Sequence, residues 1–349
     1  MIKLQFYIRF STRYGQSLHI MGNINALGNN DPAQALSMHY LNEDFWQVNL
    51  EVAEGTNLDA IRYKYFLRNE DGESITEWGN DRWLTKGHKT TTELVMNDTW
   101  NHAGEFENTF FTAPFAEVLL KPHHTKGKAD SDKLYTHIFR IKAPLLHKHQ
   151  VMALTGAGEK LRDWSETDPL QMERKGDWWE IRLDLSAQNF PVAYKYAVWN
   201  SKEKQLIRFE TGDNRLLMTE GNPQRISIQH DGFAHLPNDT WKGAGVAIPV
   251  FSLRTNNSFG VGEFNDIKLL VDWSKRTGLK LVQLLPVNDT TATNTWLDSY
   301  PYAAISAFAL HPLFINLPKV AGFELGFGCQ LKNICPATNA MNNVKNIAM

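Results

Sequence analysis

The sequence predicts a multidomain protein in which two all-β sandwiches in tandem are followed by the opening strands of an α/β domain. Three observations carry this reading. An aromatic-rich β pattern occurs twice in the first two thirds of the chain. Its short strands are separated by clusters of Gly, Asn, Asp and Pro. From residue 245 the pattern changes to strand, helix, strand. A chain of 349 residues has ample surface to bury in several cores. Its 42% apolar and 21% charged residues are those of a globular protein.

The repeat is visible segment by segment. The first copy runs LGNNDPAQAL, DFWQVNLEV, IRYKYFLRN and ITEWGNDRWL, and the second runs LRDWSETDPLQM, DWWEIRLDL, VAYKYAVWN and LIRFETGDNRLL. A Tyr-Lys-Tyr triplet is common to both. Lys64 precedes Trp78 by fourteen residues, and Lys195 precedes Phe209 by the same fourteen. This spacing indicates a duplicated domain rather than a solenoid. FWQVNLEV sets Trp46, Val48 and Leu50 against Gln47, Asn49 and Glu51, and WWEIRLDL places Trp179, Ile181 and Leu183 in the same way. Such alternation means half-buried antiparallel strands, so Trp46 and Trp179 are core residues. Trp78 and Trp164 stand in polar turns, where a large aromatic is either packed or exposed as a flat platform. Lys64 and Lys195, each between two tyrosines, either meet a ligand or solvate the outer face. The expected boundaries are 1–114 and 133–235 for the sandwiches, with 115–132 as the linker.

Composition excludes several classes. A formal net charge of -2 argues against a general nucleic-acid binder, which would need a basic face to release counterions. The one dense basic run, KPHHTKGK at 121–128, falls between patterned segments and reads as solvated linker. MIKLQFYIRFSTRYG alternates apolar residues with Lys3, Arg9 and Arg13, a strand pattern rather than a signal peptide. No stretch approaches the roughly 20 apolar residues of a membrane span. Cys329 and Cys335 have no second pair, and His123, His124, His147 and His149 lack partners at ligand spacing. Neither metal nor cofactor is expected, and the default location is cytoplasmic. Nothing sets an oligomeric state.

In the last third, GVAIPVFSL and LKLVQLLPV read as strands buried on both faces. NDIKLLVDWSKRTG between them reads as a helix. Asn265 is its candidate N-cap, Gly278 its C′ residue, and Ile267, Leu270, Val271 and Trp273 its apolar face. Lys275 and Arg276 suit the negative end of its dipole. FGVGEF lacks the G-x-G-x-x-G spacing and the P-loop lysine, so its glycines make a close turn rather than a phosphate cradle. A strand, helix and strand in this order form a βαβ unit with a parallel sheet. DSYPYAAISAF then follows the loop after the second strand.

Two resemblances follow from these motifs. LGN-x-DP-xx-A, the W-x-V strand, YKY and EWGNDR resemble the immunoglobulin-like starch-binding modules attached to amylolytic enzymes. The resemblance implies a sugar site of two exposed tryptophans and a lysine, with a polar Asn-Arg pair nearby. The residues it points to are Lys64, Trp78 and Asn80 in the first copy and Trp164, Lys195, Phe209 and Asn214 in the second. Asn30 takes the other tryptophan position in the first copy, so each site keeps only part of its platform. Stacking suits the C–H face of a glucose ring, and the ring's hydroxyls need polar partners. Paired weak sites on one chain gain through effective concentration.

GVAIPVFSL…GVGEF, LVQLLP and DSYPYAAISAFALHP are similar to the start of the amylomaltase, or disproportionating-enzyme, (β/α)8 barrel. This implies an incomplete barrel over 240–320 and a 4-alpha-glucanotransferase acting on α-1,4-glucans such as starch, glycogen or malto-oligosaccharides. It also implies that Tyr302 stacks on a glucosyl unit and that Ser299 helps to position it. Family members of this kind are retaining enzymes, whose nucleophile and acid/base come from later strands. No catalytic residue is therefore assigned in this chain; Asp289 and Asp298 are the only conceivable pair. A non-catalytic starch-binding or glycogen-binding protein is the alternative. The stretch 321–349, with its clustered asparagines, reads as an aberrant or disordered tail.

Overall fold

The computed structural model describes residues 1–120, 129–236, 241–316 and 319. The basic run 121–128, most of the tail and both cysteines lie outside the described residues, as do His123 and His124. The chain divides into two compact units, Met1–Thr240 and Trp241–Met349.

In the first unit, the first copy supplies β1 (Ile2–Arg9), β2 (Ser17–Gly22), β3 (Leu36–Ser37), β4 (His39–Tyr40), β5 (Phe45–Val52), β6 (Arg62–Arg68), β7 (Ser74–Thr76), β8 (Arg82–Trp83) and β9 (Glu93–Thr99). The second copy supplies β10 (His137–Lys142), β11 (Gln150–Gly156), β12 (Leu170–Gln171), β13 (Glu173–Lys175), β14 (Trp178–Leu183), β15 (Val192–Asn200), β16 (Gln205–Phe209), β17 (Arg215–Leu217) and β18 (Arg225–Phe233). Trp46 and Trp179 are buried in separate cores, as the alternation requires.

The copies are joined by more than a linker. Strands β9 and β18 pair in parallel, which makes one eight-stranded sheet in the order β13-β14-β10-β18-β9-β1-β5-β4. Its four central strands, β10, β18, β9 and β1, all run the same way. A five-stranded sheet built on β2 and β6 completes the first sandwich, and one built on β11 and β15 completes the second.

Neighbouring residues on a strand face opposite sides, and the cores divide accordingly. Leu4, Leu94, Ile226, Ile228 and Ile138 join the first core, whereas Phe139, Ile141 and Ile181 join the second. The two smaller sheets therefore cover opposite faces of the shared one. Strand β14 shows the consequence. Patterning makes it half-buried, yet Trp178 and Glu180 are buried as well as Trp179 and Ile181. The side that would face water in an isolated sandwich is covered here, because the first copy reaches over it through Trp83 and Thr85, which accept from Arg140.

A charge chain crosses this junction. Arg140 Nε donates to Glu180 at 2.9 Å and Arg140 Nη1 donates to His230 Nε2 at 2.8 Å. His230 Nδ1 in turn meets Asp98 of the first copy. Burial pushes His230 down to about 4, so it is neutral and carries its proton on Nδ1 toward Asp98. Burial raises the Glu180 carboxyl, but Arg140, Arg182 and Lys175 outweigh it and hold it at about 2. Breaking such a buried pair typically costs about 3–5 kcal/mol, because the remaining charge is stranded.

In the second unit, β19 (Gly245–Ile248) and β20 (Leu281–Leu284) pair in parallel, with α1 (Ile267–Thr277) between them in sequence. The βαβ reading holds locally, with three corrections. Neither strand is buried on both faces: Leu281 is 45% exposed, and each strand alternates exposed with half-buried residues, having a single partner strand among the described residues. Of the expected helix face, Ile267 and Leu270 turn inward while Val271 and Trp273 remain exposed, since so small a sheet has no second row of side chains to cover them. A 3-10 turn over Phe264–Asp266, closed by a capping box of Glu263 and Asp266, leads into the helix, so Asn265 lies inside that turn and is not the N-cap. Gly278 closes it at φ 79°, where only glycine sits freely.

Candidate functional site

Each Tyr-Lys-Tyr triplet turns two rings inward and one ammonium outward. In the first copy, Tyr63 and Tyr65 donate to Asp98 at 3.0 and 2.6 Å; in the second, Tyr194 and Tyr196 donate to Asp231 at 2.8 and 2.7 Å. The Tyr65 and Tyr196 backbone N–H groups each donate to a buried glutamate, Glu77 and Glu210, at 3.1 Å. Arg82 and Arg215 pair with those same glutamates, and each lies 5.3 Å over the second tyrosine ring. On the outer side, Lys64 Nζ donates to Gly79 O at 2.9 Å and Lys195 Nζ to Gly212 O at 2.7 Å. The arginine of EWGNDR is thus an internal charge, not a surface donor. Its partners are Glu77, five residues earlier in the same motif, and Asp98, and the motif alone does not say that the pair is buried.

This geometry corrects one sequence inference. Glu77 and Glu210 are equivalent, so Trp78 corresponds to Thr211 and Phe209 corresponds to Thr76. The equal spacing of fourteen is a coincidence. There are thirteen residues from Lys64 to Glu77 but fifteen from Lys195 to Glu210, and one of the two extra residues, Ile207, is taken up where the β15–β16 ladder shifts register between Val198 and Trp199. Phe209 is half-buried and pairs with Ala197.

The turn carrying the other aromatic position is duplicated faithfully. Gly28, Asn29 and Asn30 have φ of 74, 50 and 63°, and Arg162, Asp163 and Trp164 have 63, 42 and 62°. Trp164 is half-buried. A bulky side chain in the left-handed region is uncommon and costs of order 1–3 kcal/mol, a type of strain that gathers at ligand sites.

The remaining expected residues are dispersed. Trp78 is half-buried and hydrogen-bonded through its backbone to Asn101. Asn80 is exposed and donates to Asp177 of the second copy at 3.0 Å, which draws the first copy's site toward the junction. Lys64 also pairs with Asp81 at 3.3 Å. Asn214 lies on the wall of a groove of about 930 Å³ with Tyr7, Asn97 and Gln229. In the second unit, Tyr300 and Tyr302 are 61% and 58% exposed with centroids 5.5 Å apart, and the Ser299 hydroxyl donates to Trp296 O at 2.7 Å.

Neither Asp289 nor Asp298 is tuned as a general acid. Hydrogen bonds from Thr291 hold Asp289 below the usual range. Desolvation pushes Asp298 up, but the bonds from Thr293 outweigh it and hold it down as well. A catalytic acid needs the opposite shift. Among the described residues no group of three or more potential ligands could hold a metal ion, and no helix is long and apolar enough to cross a membrane.

Comparison with known proteins bears on both units. The starch binding domain family matches residues 1–96 and 136–228, and the 4-alpha-glucanotransferase family matches residues 248–345. A 4-alpha-glucanotransferase of Oryza sativa subsp. japonica is 34% identical over 338 residues, which cover 92% of this chain and 35% of that protein. A 4-alpha-glucanotransferase of Chlamydia pneumoniae is 41% identical over 80 residues, 23% of this chain and 14% of the relative. Among solved structures, the family 20 carbohydrate-binding module of a maltotetraose-forming amylase from Pseudomonas saccharophila matches at 20% identity and a TM-score of 0.22, over 27% of this chain and 99% of the module. The chain thus spans about a third of the first relative's length.

Proposed function

The chain belongs to the starch binding domain family, which it carries in two copies, and on that premise we propose that its first unit holds α-glucans for a 4-alpha-glucanotransferase. The carrying observation is the 34% identity to the rice enzyme across 92% of this chain. In the reaction, a carboxylate displaces the leaving glucan at the anomeric carbon while an acid protonates the departing oxygen. An acceptor sugar hydroxyl, deprotonated by the same acid/base group, then displaces the carboxylate with net retention. The residues described here supply binding rather than bond cleavage. Trp164 and Trp78 would stack on ring faces, and Lys64, Lys195, Asn80, Asn214 and Phe209 would lie along them. Tyr302, backed by Tyr300 and with Ser299 beside it, would receive a glucosyl unit in an α/β barrel begun by β19, α1 and β20. The same reading places the protein in the cytoplasm.

Incubation with maltotriose tests the activity: glucose plus longer malto-oligomers is the expected outcome for the catalytic reading. Retardation in a glycogen-containing gel without such products favours the alternative, a non-catalytic starch-binding or glycogen-binding protein. The turn-capping roles of Asp289 and Asp298 favour that alternative for these residues taken alone. Unretarded migration without such products would reject both.

A further inference from the structure

The two copies meet around a small cavity of about 190 Å³, which takes Trp78 and Asn80 from the first copy's expected sugar site and adds residues that no resemblance marks. Its lining comes from both. Trp78, Asn101 and Glu107 belong to the first copy, and Lys142 and Trp178 to the second. Lys142 is only 8% exposed, and its ammonium is ringed by aromatics: Trp178 at 4.7 Å, Phe233 at 5.4 Å and Phe111 at 5.5 Å from the ring centroids. Among the described residues it has no hydrogen-bond acceptor and no anionic partner within bonding range. Cation–π contact offsets part of the burial cost, but the N–H groups of a buried ammonium still need acceptors.

Two acceptors in the same lining are in the complementary state. Asn101 is 9% exposed, and its amide nitrogen is committed to Trp78 O at 2.9 Å and Asn108 Oδ1 at 3.0 Å. That fixes its orientation and leaves the buried Oδ1 without a donor. Glu107 Oε2 is also buried without a partner. Glu77 Oε2 and Arg82 Nε line it too and are likewise buried without a hydrogen-bond partner, so the cavity, lined by two indoles, presents two unfilled donor groups and three unfilled acceptors. An anion would satisfy Lys142 and Arg82 and be repelled by the three oxygens; a cation would meet the reverse conflict. A polyhydroxylated neutral ring suits donors and acceptors alike, because each hydroxyl both donates and accepts, and its C–H face suits the indoles. The volume, about six waters at ~30 Å³ each, admits one pyranose ring rather than a chain.

The geometry points to a composite sugar subsite at the junction, in which Lys142, Asn101 and Glu107 bind the hydroxyls of a single glucosyl ring between Trp78 and Trp178. It deepens the glucan-binding reading and rests on it. Because the ring touches both copies, its binding also fastens one sandwich to the other. Gly79, at φ 102°, brings its backbone close to the ammonium: a Cβ built there would lie 3.9 Å from Lys142 Nζ.

Calorimetric titration of the full chain with maltose, repeated with Lys142→Met and Glu107→Gln, is the test. Lys142→Met removes a buried charge while keeping the bulk, so its melting temperature is expected to hold or rise. Its junction affinity is expected to fall at least tenfold, and the titration to lose one site. A purely structural lysine would move stability and leave affinity alone. Glu107→Gln keeps one acceptor oxygen and is expected to lose less. Lys142→Met that binds maltose within twofold of wild type overturns the subsite, and so does competition by inorganic phosphate but not by maltose. If Trp164→Ala still weakens binding in that case, the glucan-binding reading survives the subsite; if wild type binds neither maltose nor glycogen, the parent reading itself fails.

Discussion

The two sandwiches agree inside and differ outside. Their buried polar scaffold is the same residue for residue: two tyrosines on an aspartate, a glutamate under the strand, an arginine across both. Their outer aromatic positions are reciprocal. The first copy has Trp78 and Asn30 where the second has Thr211 and Trp164. Each sandwich thus retains one half of a stacking platform, and the halves differ. Internal groups are tied to several partners at once, so a change to one strands the others; an exposed ring can be lost at the expense of affinity alone.

One internal difference separates the copies as well. Burial raises the Asp98 carboxyl, but His230, Arg82 and Tyr65 together hold it below its ordinary value. Asp231 is raised by burial despite Arg215 and two tyrosine donors. Asp98→Asn should therefore destabilise the first unit by about 3–5 kcal/mol, as expected for a broken buried charge network. Asp231→Asn should cost less, about 1–2 kcal/mol. Urea unfolding of both variants is the check, and equal costs would remove the asymmetry from the account.

Acid should act through the same junction. His230, faced by Asp98, Arg140 and Arg82, has a folded pKa of about 4 against 6.5 in the open chain. The unfolded state takes the proton first, so stability present above pH 6.5 is lost as pH falls toward 4. The loss is about 3 kcal/mol for this group. Thermal melts across that window should show the fall, and His230→Gln should flatten it.

Smaller effects fall on the surface. Trp164→Ala should weaken glycogen binding about tenfold, or ~1.4 kcal/mol. Restoring the missing halves should do the opposite. Asn30→Trp and Thr211→Trp should each tighten binding roughly threefold, under 1 kcal/mol, and Trp164 shows that the left-handed turn accepts an indole. Affinity electrophoresis on glycogen reads both directions. Unchanged mobility in all three variants would dissociate the platforms from binding.

Much of this architecture was legible in the residues, and the limits have physical reasons. Alternation placed Trp46 and Trp179 in cores because one face of each strand is apolar. Gly278 marked a helix end because only a left-handed residue closes it there. The junction was not legible. Strand pairing is set by long-range register, and nothing local in ELVMNDT or RISIQHDGF says that these strands lie side by side. His230 and Asp98 are 132 residues apart, and Lys142 in HIFRIK looks like any strand-end lysine until the other copy closes over it. Equal spacing misled for Phe209 because the second hairpin is two residues longer, one of them taken up by a shift in its ladder, without disturbing the glutamate beneath.

The central claim is that complementary half-platforms on one fused pair of sandwiches hold an α-glucan. Calorimetry with maltoheptaose on wild type, Trp78→Ala, Trp164→Ala and the double variant tests it most directly, with near-UV circular dichroism confirming the fold. The account predicts partial loss of affinity in each single variant and loss of measurable binding in the double. A folded double variant that binds maltoheptaose like wild type would contradict it.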